Sequence, residues 1–302
     1  MIPQAWVAWF TAPIRAGLAE PVNAADAWHG VLMMIAAGGV LPFALLITRY
    51  WKIVPGQDWP RALDHPLWWR VHRLMGYGSA AGVLAGFAFV FHGMSVDAYL
   101  LHPHAGSGWL AGVMLLALLI NGWLRGTVGG PGHRQRGTLV HLHELPGDHY
   151  DMTRRRRWFE RTHKTLGYSL MAVFAISLFT GLWHVAAPRW ALLLLAGWWL
   201  LLLSLAFRWE RQGRVVDGYQ AKWGPGMNHP GNRIPVLGWG SRRYTEAEFR
   251  RLGWARHADA TVAITSAGGR PAPPAESGAP TRPLPDRSGA DAPVRSPERP
   301  TV

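Results

Sequence analysis

The segment HRLMGYGSAAGVLAGFAFVFHG, residues 72–93, decides how this chain folds. It is almost entirely apolar, and its length is close to the roughly 20 residues that a helix needs to cross a bilayer. Four further blocks have the same character: residues 28–48, 104–124, 164–187 and 189–207. The sequence therefore predicts an all-α integral membrane protein with five transmembrane helices, which leaves little chain for a large soluble domain.

Four histidines share one position, the opening turn of an apolar block: they are His29, His72, His104 and His163. A glycine stands four residues after each of His72, His104 and His163. Consecutive membrane helices run in opposite directions, so their first turns alternate between the two faces of the membrane. We therefore expect His29 to meet His104 at one face and His72 to meet His163 at the other.

These two histidine pairs are candidate axial ligands of two haem groups. A histidine inside a membrane span is costly and is by default a functional candidate. Two histidines fill both axial positions of a haem iron, which suits a haem that only passes electrons. The porphyrin must lie close to the helix that supplies its ligand, and a glycine one turn further on removes the side chain that would collide with it.

His92 and His184 form an alternative ligand pair, because they lie at the far ends of the second and fourth apolar blocks. The 20 residues from His72 to His92 correspond to roughly 30 Å of helix, so a haem at each end would push one of them into the membrane interface. Ala88 also stands where the glycine would be needed. We therefore prefer the pair at the helix starts and leave this alternative open.

His102 competes with His104 more directly, because only two residues separate them. It lies farther from the apolar block and before Pro103, which favours His104 as the ligand. His29 lacks the glycine one turn on, since Met33 occupies that place. The ligand assignment at this face is thus less constrained than that of His72 with His163.

The formal net charge of +13 is distributed unevenly along the chain. Basic residues are concentrated between the first and second blocks and between the third and fourth, whereas residues 94–108 contain none. Cytoplasmic loops of membrane proteins carry such an excess. The sequence therefore predicts a periplasmic amino terminus and a cytoplasmic carboxyl terminus in the inner (plasma) membrane, with membrane lipid rather than nucleic acid as the partner of these charges.

The sequence contains no cysteine. Thiolate-held iron–sulfur clusters and covalently attached haem are therefore excluded for these residues. Histidine is the obvious remaining ligand for a metal cofactor.

We divide the chain into four parts: a periplasmic or interfacial lead-in at 1–27, a transmembrane domain at 28–207, a cytoplasmic tail at 208–264 and a disordered carboxyl-terminal tail at 265–302. The last part consists mainly of Pro, Ala, Arg, Ser and Gly. It has too few large apolar residues to bury a core.

Residues 28–207 resemble the cytochrome b561 family through four motifs. In chain order these are His29-Gly30 with Arg49-Tyr50, Trp69-Arg70-Val71-His72-Arg73, His104 with Asn121-Gly122 and Arg125, and His163-Lys164-Thr165-Leu166-Gly167. The resemblance implies a four-helix core that binds two haem b groups, with one peripheral helix. The Ala/Arg/Gly-rich composition is typical of a bacterial member.

The resemblance also implies oxidoreductase activity in which the haems, and no catalytic side chain, carry the chemistry. Family members pass electrons from a cytoplasmic donor such as ascorbate to an outer acceptor such as monodehydroascorbate or a ferric chelate. Phe91 and His92 match the family's outer substrate site. Basic residues at the other face match positions that hold an anionic donor: Arg49, Lys52, Arg70 and Arg73. The bacterial composition leaves the identity of the donor open.

Two other functions remain open. The chain could be a membrane-anchor haem subunit that relays electrons between quinone and a protein partner, using the loop between the third and fourth spans for docking. That loop contains His133, His141 and His143 and could instead bind a divalent metal. A metal or proton transporter would need polar residues along its path, which most spans lack. The oligomeric state, including a homodimer, is not decided by the sequence.

Overall fold

The computed structural model describes residues 3–16, 22–57, 59–60, 62–63, 65–91, 102–130, 146–245 and 248. Five helices are long and apolar enough to cross a membrane: span 1, Ala24–Tyr50; span 2, Leu67–Phe91; span 3, Pro103–Trp123; span 4, Arg154–His184; and span 5, Arg189–Arg211. Within these ranges there is no β-strand, and Pro13 and Pro188 form an isolated bridge. The predicted all-α fold with five spans is confirmed, and it indicates a multi-pass membrane protein.

Span 4 begins ten residues before its predicted start, at Arg154 instead of residue 164. Thr153 caps this end, since its side chain accepts a hydrogen bond from the N–H of Arg156. Glu160 then forms ion pairs one turn away in both directions, with Arg156 at 3.0 Å and Lys164 at 3.1 Å. Such pairs stabilise a polar helix, which a search for apolar blocks does not detect.

Span 1 is irregular in its middle third. Pro42 has no N–H, so the carbonyl of Gly38 loses its usual donor four residues later. Trp199 Nε1 donates to Gly38 O at 2.8 Å, and Trp198 Nε1 donates to Gly39 O at 3.2 Å. A backbone carbonyl in lipid needs such a partner, so these indoles join span 5 to span 1. The three parts are an α-helix at Ala24–Met33, a π-helix at Met34–Val40 and an α-helix at Leu41–Tyr50.

Spans 1 to 4 pack as two pairs, span 1 with span 2 and span 3 with span 4, while span 5 lies mainly against span 1. Small residues let the helices approach closely, as expected for packing in a membrane. A Cβ on Gly82 would lie 2.9 Å from that of Ala36, and Ala37 and Ala111 are completely buried. This packing sets the positions of the four histidines at the ends of the bundle.

Residues 212–245, named the cap, form a packed unit where the sequence predicts a tail. The Tyr219 hydroxyl donates to Tyr150 O at 2.8 Å and accepts from the N–H of Gly231 at 3.0 Å. Trp59 is completely buried against Val216 of the cap. The cap therefore joins segments from three parts of the chain. Residues 249–302, which include the predicted disordered tail at 265–302, lie outside the described residues.

Candidate functional site

The structure brings the four helix-start histidines together as two pairs. The ring centres of His29 and His104 are 6.0 Å apart with an interplanar angle of 79°, and those of His72 and His163 are 6.0 Å apart with an angle of 77°. Two imidazoles that bind opposite sides of one metal ion have ring centres roughly 6 Å apart. Both pairs thus have the spacing of axial haem ligands. We call the two ends of the bundle the His29 end and the His72 end.

At the His29 end, backbone carbonyls fix both rings. His29 Nδ1 donates to Gly86 O and His104 Nδ1 donates to Ser177 O, each at 2.9 Å. A hydrogen bond from Nδ1 sets the tautomer and leaves Nε2 as the lone-pair nitrogen, which is the usual arrangement of a metal-bound histidine. These two rings are therefore oriented for ligation through Nε2.

At the His72 end, side-chain oxygens take the place of the backbone carbonyls and fix both imidazole rings. His72 Nδ1 lies 3.3 Å from Thr48 Oγ1, and His163 Nδ1 lies 3.1 Å from Asn121 Oδ1. The Thr48 hydroxyl itself donates to Ala44 O at 2.7 Å, so its oxygen is free to accept from His72. Thr48 and Asn121 were not among the predicted site residues. Asn121 belongs to one of the four motifs of the family resemblance, whereas Thr48 is marked in the sequence only as a polar residue at the end of an apolar span.

The glycines one turn after the histidines have two different surroundings. A Cβ on Gly76 or Gly167 would meet no other atom within 4 Å, so an open space lies beside His72 and His163. A Cβ on Gly108 would instead lie 3.5 Å from Ser177 Oγ. The predicted clearance for a porphyrin therefore fits the His72 end, whereas Gly108 faces span 4.

Gly181 supplies the close approach that the His29 end needs. A Cβ at this position would lie 2.7 Å from Cε1 of the His104 ring, which is too near for any side chain. The glycine lets the imidazole lie flat against span 4 and reach the Ser177 carbonyl. Sequence reasoning missed this residue, because it is 77 positions away from the histidine that it accommodates.

The rival histidines are arranged differently. The ring centres of His102 and His184 are only 4.3 Å apart, which leaves no room for a porphyrin between them. His102 Nδ1 also accepts a hydrogen bond from the N–H of His104 at 3.3 Å, so it caps span 3. His92, the alternative partner of His184, lies outside the described residues.

The four basic residues predicted to hold a donor divide into two kinds. Arg49 donates to the Tyr168 hydroxyl at 3.0 Å and to Glu210 at 2.9 Å, and Lys52 Nζ donates to Val216 O of the cap at 2.8 Å. Burial lowers the pKa of Lys52 to about 8, with Lys164 adding to the effect. Arg49 therefore joins span 1 to spans 4 and 5, whereas Lys52 supports the packing of the cap. The two others, Arg70 and Arg73, are exposed on span 2.

Phe91, the predicted outer contact, ends span 2 at the His29 end and is about half exposed. Its ring centre lies 5.4 Å from that of Trp109. The aromatic pair forms a partly exposed apolar surface next to the first turn of span 3. The second half of the predicted contact, His92, cannot be placed beside it.

A buried charged cluster connects the cap to the His72 end. Glu160, one turn before His163, pairs with Arg156 and Lys164, and His149 Nε2 lies 4.0 Å from its carboxylate. Burial and, secondly, Arg156 lower the pKa of His149 to about 3, so this ring is neutral. No group of three or more His, Cys, Asp or Glu side chains in the described residues could hold a metal ion. The loop histidines of the predicted divalent site, His133, His141 and His143, lie outside those residues.

The chain is distantly similar to a protein of Arabidopsis thaliana named cytochrome b561, DM13 and DOMON domain-containing protein. The identity is 27% over 160 residues, which cover 52% of this chain and 14% of the relative. No family model and no solved structure matches the chain. The similarity supports a relationship to the cytochrome b561 family and nothing finer.

Proposed function

We propose that this protein is a transmembrane electron-transfer cytochrome that binds two b-type haems, one between His29 and His104 and one between His72 and His163. One observation carries the proposal. Each of the four rings has an Nδ1 acceptor, and the two pairs share a ring-centre spacing of 6.0 Å. Two sites with the same spacing and the same hydrogen bonding, at opposite ends of a helix bundle, suit electron transfer across the membrane.

The distant similarity to a protein named cytochrome b561 supports the same function. Bound haem supplies one-electron chemistry between its ferric and ferrous states. The chain's own residues hold the iron from both sides, fix the histidine tautomers and surround the sites with apolar helix. With both axial positions filled by histidine, the sites favour electron transfer over the binding of a further ligand.

The distribution of basic residues supports a plasma-membrane protein whose His72 end faces the cytoplasm and whose amino terminus is periplasmic. We propose that an anionic donor, ascorbate or another small reductant, approaches Arg70 and Arg73, which are exposed at that end. The acceptor, a ferric chelate or monodehydroascorbate, would approach the opposite end near Phe91. The composition supports a bacterial-type member of the family.

A haem count with a reduced-minus-oxidised spectrum tests this proposal, on the wild type and on four single His→Ala variants. We expect two b-type haems per chain. His29→Ala and His104→Ala should lose the same haem, and His72→Ala and His163→Ala the other. His184→Ala is the matched control and should retain both. Retention of two haems after His29→Ala, or a single haem in the wild type, would refute the scheme.

A cavity favours quinol as an alternative donor, which would make the protein a membrane-anchor relay. A space of about 320 Å³ between spans 1, 4 and 5 is lined mainly by apolar side chains and also by Arg49 and Tyr168. Arg49 directly follows Thr48, the hydrogen-bond partner of His72. Leu203→Ala and Leu203→Trp would enlarge and fill the cavity. The relay would be supported if both variants change the rate at which quinol reduces the protein and if ascorbate does not reduce it.

A further inference from the structure

His102 and His184 form a third histidine pair, beyond the two that we assign to haem. His102 caps the first turn of span 3 and His184 is the last residue of span 4, so both lie at the His29 end. Their ring centres are 4.3 Å apart with an interplanar angle of 61°, and both side chains are partly exposed. Solvent can therefore reach the pair.

The 4.3 Å spacing distinguishes this pair chemically. Two imidazoles on opposite sides of an ion have ring centres roughly 6 Å apart, whereas two in neighbouring positions at a right angle have centres roughly 4.5 Å apart. The pair thus has the spacing of two adjacent ligands on one metal ion. Neighbouring positions at right angles belong to square-planar or tetragonal coordination, which Cu(II) prefers, and Cu(II) also binds nitrogen ligands most tightly among the first-row divalent ions.

The hydrogen bonds around the pair decide which atoms are left for a metal ion. His102 uses Nδ1 to cap the backbone N–H of His104, so its Nε2 is the nitrogen left for a metal. Arg15 lies beside the pair, donating to Trp183 O at 2.9 Å and to His184 O at 3.0 Å. Its positive charge favours anionic ligands in the remaining positions of the ion. The same charge repels a hydrated dication, so the site favours a complex in which hydroxide or a carboxylate chelator offsets the charge of the ion.

We infer that His102 and His184 bind one Cu(II) ion at the His29 end, with water or anionic ligands in the other positions. One of the two ligands, His102, is also hydrogen-bonded to the backbone N–H of His104. Resting on the proposed function, this makes copper a one-electron acceptor of the relay. The metal passes from Cu(II) to Cu(I) and the reduced protein loses one electron, with no proton transferred.

Copper titration of the full-length protein in detergent, followed by electron paramagnetic resonance, tests the binding. We expect one equivalent of Cu(II) with hyperfine couplings from two imidazole nitrogens. Loss of a residue that is hydrogen-bonded to a metal ligand costs about 10–100-fold in metal affinity, so loss of a direct ligand should weaken binding by at least about tenfold. His102→Asn keeps an oxygen acceptor for the helix cap, and His184→Gln is its counterpart. His65→Gln, a histidine at the opposite end of the bundle, is the control.

The double variant decides whether the two histidines share one ion. If they do, each single variant and the double variant lose the same equivalent of copper. Loss of two equivalents in the double variant, or retention of the two-nitrogen signal in either single variant, would overturn the inference. Haem content is measured on the same samples, since unchanged haem shows that the fold and the proposed function survive.

Electron transfer to the bound ion has its own readout. Protein reduced with dithionite and freed of the excess is mixed with one equivalent of Cu(II). We expect the Cu(II) signal and the ferrous haem spectrum to disappear at the same rate. In His184→Gln both should disappear at least about tenfold more slowly. A persistent Cu(II) signal in a protein with two intact haems would overturn the acceptor role while leaving the proposed function standing.

Discussion

Asn121 joins span 3 to the histidine of span 4: its Oδ1 accepts from His163 Nδ1 at 3.1 Å, while its Nδ2 donates to Thr162 Oγ1 at 2.8 Å. Asn121→Leu keeps the volume but removes the acceptor. We expect the affinity for one of the two haems to fall by about 10–100-fold. When the haem held by His163 is bound, its midpoint potential should be higher than in the wild type. The reason is that His163 becomes a weaker electron donor to the iron. Haem titration and a redox titration measure the two effects.

The control for this variant is Thr162→Val, which removes the other contact of the amide and keeps its oxygen. This change should leave the haem affinity close to that of the wild type. Equal effects of the two variants would show that Asn121 acts only by packing.

Gly167→Leu tests whether the open space at the His72 end receives a cofactor. A Cβ on Gly167 meets no protein atom within 4 Å, so the chain alone can accommodate a side chain there. We expect the variant to fold but to bind one haem instead of two, because leucine would occupy the space beside His163. Gly197→Leu on the peripheral span 5 is matched, since a Cβ there also meets nothing within 4 Å, and it should keep both haems. Two haems in Gly167→Leu would exclude a porphyrin from this space.

Arg70 and Arg73 are expected to attract an anionic donor, whereas Lys52 is not. Reversing both exposed charges, with Arg70→Glu and Arg73→Glu together, should slow reduction by ascorbate at least about tenfold at low salt, because charge steering raises association rates by 10–10³. Reduction by an uncharged quinol should change little. Lys52→Met should lower the melting temperature of the cap and leave the ascorbate rate nearly unchanged. Stopped-flow absorbance at several salt concentrations distinguishes these outcomes, and Arg211→Glu on span 5 is the control.

His149 makes the stability of the cap dependent on pH. Its pKa is lowered to about 3 in the folded protein, mainly by burial, from an ordinary value of 6.5. Below pH 6.5 the unfolded chain therefore binds a proton that the folded chain does not. The free energy of unfolding should fall with decreasing pH, by at most about 1.4 kcal/mol per pH unit for this group, until the pH reaches the folded pKa.

Thermal unfolding at several pH values can follow this transition. His149→Gln cannot titrate and should show a shallower loss of stability between pH 6.5 and pH 4. If the slopes of the variant and the wild type coincide, other groups control the acid sensitivity of the cap.

The sequence was sufficient to predict the five spans, because each is a continuous apolar block of membrane-spanning length. Alternation of helix direction also predicted which histidines meet, while their role as haem ligands stays a prediction. The hydrogen bonds of Thr48 and Asn121 could not be predicted, since one polar residue in a span has no period to detect. His102 and His184 are far apart in the chain and meet only because spans 3 and 4 pack together, so their contact could not be predicted either. Likewise the cap depends on Tyr219 reaching two distant backbone groups.

The π segment of span 1 determines which way the two ends of that helix point. His29 and Thr48 are 19 positions apart, which in a continuous α-helix would leave their side chains roughly 100° apart around the axis. Both nevertheless face span 2, where His29 reaches Gly86 and Thr48 reaches His72. A π-helix places more residues in each turn, so Met34–Val40 rotates the second half of the helix back toward its neighbour. The π segment thus accommodates the one residue by which this separation exceeds 18, the number that makes five whole α-helical turns. Both ends of span 1 therefore keep their hydrogen bonds to span 2.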